Sequence, residues 1–72
     1  MEDRTVTIKD KKLGKKIRKF RKSIGLTQEK LAEATHLSTT FIGMLEIGHR
    51  RPGLKTLQKI ASALEVDMKE LF

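Results

Sequence analysis

The chain has no cysteine, tryptophan or tyrosine, and only one proline and three phenylalanines in 72 residues. Without cysteine there is no disulfide framework, no cysteine-built zinc finger and no thiol chemistry, which fits a cytoplasmic setting. No apolar run approaches the roughly 20 residues needed to span a bilayer. The opening MEDRTVTIKD is polar and lacks an apolar h-region, so no signal peptide is expected. The sequence also lacks a nucleophile motif, a pair of catalytic acids or a metal-binding cluster, so neither an enzyme nor a cofactor or metal site is expected. A chain this short makes one small domain with a limited core, in which helix caps and staples carry unusual weight.

Acidic residues are scarce where basic ones crowd. The net charge is +7, and residues 1–22 carry ten Lys/Arg against three Asp/Glu, while residues 23–72 carry six of each. The whole excess therefore sits at one end. A concentrated basic stripe is the footprint of polyanion binding, because neutralised phosphates release counterions. A solvated helix face that keeps the protein in solution has the same composition. A basic amphipathic helix also suits an anionic membrane surface, but the apolar stripe of this one is needed for a core.

The stretch that organises the chain is Thr27 to Gly48, TQEKLAEATHLSTTFIGMLEIG. Thr27 can cap the free N–H groups that follow it, with Leu26 and Leu31 as a hydrophobic staple. The pattern repeats eleven residues later, with Ser38 as cap and Leu37 and Ile42 as staple. That interval leaves room for about two helical turns and a corner. It is the spacing of a helix-turn-helix, whose second helix can enter a DNA major groove. The corner needs a residue at positive φ, and with no glycine there His36 is the expected occupant. Ala32 is small where the two helices cross. In the second helix, over 39–47, Ile42 and Leu45 have core spacing and leave Thr39, Thr40, Gly43 and Met44 outside. A short, uncharged outer face suits base edges. Phe41 has two readings, core or an exposed ring on sugar or a thymine methyl. Glu46 stands near the negative end of the helix dipole, and Arg21 is its expected partner.

Around this pair the pattern predicts a first helix over 11–24, with Leu13, Ile17, Phe20 and Ile24 as its apolar stripe and Gly25 as its stop. Thr5 to Lys9 alternates like a short edge strand, and a flexible arm over 1–10 is the other reading. Arg21 lies beside the stripe, where it either snorkels outward or meets a buried carboxylate. The His49-Arg50-Arg51-Pro52 loop follows the second helix of the motif. A fourth helix carries Leu54, Leu57, Ile60, Ala61 and Leu64 inward. A fifth begins at the cap Asp67, with Glu70 completing a capping box and Val66 with Leu71 as a third staple. Leu71 and Phe72 either close the core or join a dimer contact.

The pieces LGKKIRKFRKSIGLTQEKLAEAT and LSTTFIGMLEIGHRRPGLKTLQKIASALEVDMKELF together resemble the Cro/CI-type (XRE) family of helix-turn-helix repressors. The likeness implies an all-α, five-helix, lambda-repressor-like domain over 11–72 that binds operator DNA through its third helix. It implies a homodimer on a palindromic site, and Met68, Leu71 and Phe72 are the expected contact. By position, Thr39, Thr40 and Met44 would read bases, with Gly43 on the same face and Ser38 near a phosphate or base edge. Gln28, with Thr27 beside it, would meet a phosphate, as would Lys16, Arg50 and Arg51. Arg21 and Glu46 match the family's internal ion pair. His36 and Glu65 stand where glycine is usual, and Ile47 where a polar or basic phosphate contact is common. The implied function is that of a cytoplasmic transcriptional regulator, a repressor, with no small-molecule effector evident. The other reading of the same fold is an antitoxin or similar protein-binding module with DNA binding secondary.

Overall fold

The computed structural model describes residues 8–72 and contains four α-helices and one 3-10 turn, with no strand among the described residues. They are α1 (Ile8–Ser23), α2 (Gln28–Thr35), α3 (Thr39–Glu46) and α4 (Leu54–Leu64), followed by the 3-10 turn Met68–Leu71. The expected fifth helix is thus a single tight turn. Asp67 opens it and donates its N–H to Glu70 Oε2 at 3.3 Å. A run of four residues after that cap is too short for successive i to i+4 bonds, and 3-10 geometry is the usual outcome.

α1 begins three residues earlier than the expected Lys11. Ile8 and Lys9 are helical rather than extended, and the rest of the expected strand or arm lies outside the described residues. At its other end α1 stops at Ser23, so Ile24 falls beyond the last turn and is 40% exposed instead of joining the stripe. Leu54, also expected inside, is exposed because it opens α4, one turn before the buried run Leu57, Ile60, Ala61 and Leu64.

α1 packs on α3, α2 packs on α3 and α4, and the 3-10 turn closes against α4 and α1. Ile17, Leu31, Ile42, Leu45, Ile60, Leu64 and Leu71 fill the centre and are essentially inaccessible. Leu26, Leu37, Phe41 and Val66 pack on this core from its edge, so the staple residues are partly buried and Phe41 leans inward. The last two residues divide: Leu71 enters the core and Phe72 stays 73% exposed.

Both helix-turn-helix caps form. Thr27 Oγ1 accepts from Lys30 N–H and Ser38 Oγ from Phe41 N–H, each at 3.0 Å. His36 closes α2 in the left-handed region, at φ 58° and ψ 37°, and Glu65 closes α4 at φ 62° and ψ 39°. The next residue bonds back over each end, Leu37 N–H to Ala32 O at 2.9 Å and Val66 N–H to Ala61 O at 3.0 Å. These are glycine-type helix endings made with side chains present. Relief of left-handed strain at His36 outweighs the extra freedom that glycine gives the unfolded chain. His36→Gly should therefore raise Tm by roughly 2–4 °C, the shift that about 0.5 kcal/mol produces in a domain of this size. An unchanged or lower Tm in a thermal melt would contradict this account of the corner.

Candidate nucleic-acid interface

α3 presents two faces because its core contacts recur with helical spacing. Ile42, Leu45 and Glu46 are buried, Thr39 and Thr40 are exposed, and Gly43 and Met44 are half-buried. Ile47, the C-cap at φ −93° and ψ 0°, is 59% exposed. Thr40, Gly43, Met44 and Ile47 follow one another at spacings of 3, 1 and 3 residues, so they share the outer stripe. The stripe carries no charge. Ser38 stands at its N-terminal end, exposed, with Oγ used as the cap.

A buried network fixes this helix to its neighbours. Arg21 Nε lies 2.5 Å from Glu46 Oε2, and Arg21 Nη2 donates to Oε1 at 3.0 Å. Arg21 Nη1 reaches Leu26 O at 2.7 Å, and Gln28 Nε2 donates to Glu46 Oε1 at 3.0 Å. Arg21 and Glu46 side chains are only 8% and 2% accessible. A carboxylate at the wrong end of a helix is tolerable here because three donors converge on it. The bond from Gln28 is absent from the sequence reading. It holds the amide beside Gly43, where a Cβ would come 3.8 Å from Gln28 Oε1. Gln28, expected at a phosphate, is thus anchored from within at the start of α2.

Exposed cations lie on elements that adjoin α3. On α1, Lys11, Lys15, Arg18 and Lys22 are all exposed and recur at helical spacing. Lys11 packs against Gly48 just after α3: a Cβ on Gly48 would sit 2.9 Å from Lys11 Cα. Gly48 has φ 85°, so both its conformation and its neighbour require glycine. Past it, Arg50 is exposed. Arg51 makes a fork to Asp10, Nε to Oδ1 and Nη2 to Oδ2, each at 3.1 Å. The hydrogen bonds Arg51 donates to Asp10, and then the charge of Asp10, hold the guanidinium above its ordinary pKa. Its side chain remains 61% accessible while that of Asp10 is 6% accessible, so the loop is tethered to the start of α1 with the arginine still facing solvent. Nothing in local patterning pairs residues 41 positions apart, so the role of Asp10 emerges only from the fold.

Lys16 lies elsewhere. Its Nζ donates to Phe72 O at 2.6 Å, and with Lys12, Leu13 and Leu71 it lines a recess beside the 3-10 turn. The structure therefore separates Lys16 from the other expected phosphate residues, because it occupies the α1 face that meets the last turn. Met68 is half-buried at the same end, beside exposed Phe72.

A short capped helix, crossed by a second and presenting an uncharged stripe, with exposed cations on the adjoining elements, defines a helix-turn-helix DNA-binding module. The sequence matches the helix-turn-helix family HTH_3 over residues 17–71, and the chain belongs to that family, the XRE-type regulators of transcription. It is 40% identical over 58 residues to the uncharacterized HTH-type transcriptional regulator YazB of Bacillus subtilis, covering 81% of this chain and 84% of YazB. The restriction-modification controller C.AhdI from Aeromonas hydrophila superposes with a TM-score of 0.83 at 37% identity, over 86% of this chain and 94% of that one. The controller C.Esp1396I bound to a 19-base-pair DNA duplex gives 0.82 at 33% identity, over 92% and 88%. The chain is a transcriptional regulator rather than an enzyme. No helix among the described residues is long and apolar enough to cross a membrane.

Proposed function

We propose that the protein is a cytoplasmic, sequence-specific repressor that binds a palindromic operator as a homodimer and reads the major groove with α3. The observation that carries this reading is the separation of charge. The α3 stripe is neutral, while exposed cations stand on the adjoining elements, α1 and the loop after α3. A duplex has the complementary pattern, with base edges in the groove and phosphates along both rims. Thr39, Thr40 and Met44 read bases, Gly43 leaves room for close approach, and Ser38 serves the N-terminal edge. Thr27 and Gln28 meet a phosphate at the start of α2, and Arg50 with the Asp10-held Arg51 meets another.

One module of this size buries only about 600–1,000 Å² on DNA, so useful specificity calls for two. The dimer contact proposed is the end bearing Met68, Leu71 and Phe72, where Phe72 is a large exposed apolar side chain. Half-sites are then expected about 34 Å apart. Thr40→Ala should weaken the selected site by about 1–3 kcal/mol while leaving random duplex unchanged. Arg50→Ala should weaken both and reduce the slope of log K against log salt by about 1. Titrations of both variants across a salt series decide between reader and positioner, and identical behaviour of the two would overturn the assignment.

A further inference from the structure

The outer stripe of α3 is poorly equipped for hydrogen-bond readout. Thr40, Gly43, Met44 and Ile47 offer one hydroxyl among them, with no arginine or lysine for guanine and no asparagine or glutamine for adenine. Gln28, the nearest amide, is drawn to Glu46. What the stripe does offer is apolar surface: the Thr40 methyl, the Met44 thioether and an isoleucine 59% exposed. Ile47 is exposed although the core is one turn away, and it stands between the neutral stripe and the cationic loop beginning at His49. Ile47 stands outside the core cluster, and an exposed isoleucine adds nothing to solubility.

We infer that α3 selects thymine by its C5 methyl group, with Ile47 as a specificity residue at the C-terminal end of the stripe and Thr40 and Met44 completing the apolar contact. The major groove presents this methyl on every A·T pair at a position that distinguishes T·A from A·T. The charge pattern commits the occupant to duplex DNA: cations at Lys11, Lys15, Arg18, Lys22 and Arg50 lie outside the stripe and none lies on it. Gly43 lets the helix approach the base edges that carry the methyls. This inference rests on the DNA-reading role of α3 and names the chemical group that role recognises.

The test takes duplexes selected from random sequence by the full chain and replaces each thymidine in turn by deoxyuridine, which removes the methyl and leaves the pairing intact. At contacted positions affinity should fall about fourfold, the factor for one buried methyl. Ile47→Ala should bind the selected duplex on the order of tenfold more weakly, with an unchanged Tm, since the side chain is not part of the core. In that variant one deoxyuridine position should lose its penalty, because the paired contact is already gone. Selected duplexes that bind equally well with deoxyuridine at every position would overturn the inference while leaving DNA reading intact. So would an Ile47→Ala variant with the wild-type pattern of penalties. Failure to enrich any sequence from the random pool would sink the DNA-reading role itself, and the methyl selection with it.

Discussion

Gly14→Ala should destabilise the protein by at least about 2 kcal/mol, lowering Tm by on the order of 10 °C in a domain of this size. The usual expectation is the reverse, since alanine in mid-helix gains about 1 kcal/mol over glycine. Here the added Cβ would come 2.3 Å from Leu45 O and 2.5 Å from Glu46 O. Both atoms belong to the backbone of α3's last turn, so no side-chain rotation relieves the overlap. α1 and α3 would have to separate, and Arg21 would be pulled from Glu46 as they did so. Gly53, the N-cap of α4, is the control, because nothing lies within 4 Å of its added Cβ; glycine caps better than alanine, so Gly53→Ala should cost about 0.5–1 kcal/mol, well below the Gly14 loss. Thermal melts of the two variants should differ clearly. Equal melts would mean that α1 and α3 are not held at the distance the structure gives. The Gly14 variant should also bind duplex DNA more weakly even below its Tm, because the cations of α1 are placed relative to α3 by this contact.

What the sequence reveals and what it conceals divide along range. The caps at Thr27 and Ser38, the staples, and the helix ending at His36 rest on residues within five positions of one another, and patterning exposes them; the like ending at Glu65 is implied by the family resemblance. Arg21 and Glu46, 25 positions apart, are each locally anomalous, a cation beside an apolar stripe and an anion at a helix's negative end, and the family resemblance pairs them as well. Asp10 and Arg51 show no such anomaly, and their fork emerges only once the loop has folded back onto α1. Gly14 did carry a signal, since an isolated glycine inside a helical pattern usually has a packing reason, but which helix approaches it depends on the tertiary fold. The errors at the ends have the same origin. Ile24 and Leu54 fit the apolar period and still lie outside, because a stripe is buried only where another element covers it. Of the expected interface, the α3 stripe follows from periodicity alone. The displacement of Lys16 toward Phe72 follows from where the 3-10 turn docks, which no local pattern encodes.

Glu46→Ala should cost about 3–5 kcal/mol, more than half of the stability of a domain expected near the low end of about 5–15 kcal/mol. The loss exceeds that of an ordinary ion pair because of what remains. Arg21 would stay buried with one backbone carbonyl, Leu26 O, in place of three acceptors, and the amide of Gln28 would lose its partner as well. A charge left unpaired in the interior costs more than a pair contributes. The double variant Arg21→Met, Glu46→Leu should therefore be less damaging than Glu46→Ala alone, since it removes both charges and returns apolar volume. Leu26 O and the Gln28 amide each lose a partner, but both bonds are only partly buried, so water can take it over at little cost. Urea titrations of the three proteins would establish the order, and a Glu46→Ala cost below about 1 kcal/mol would contradict a buried, structural role for the pair. In the double variant the fold persists but Gln28 is no longer held beside Gly43. Its affinity for the selected operator and for random duplex should then fall together, because the amide proposed to meet a phosphate is free to move while the exposed cations of α1 are untouched.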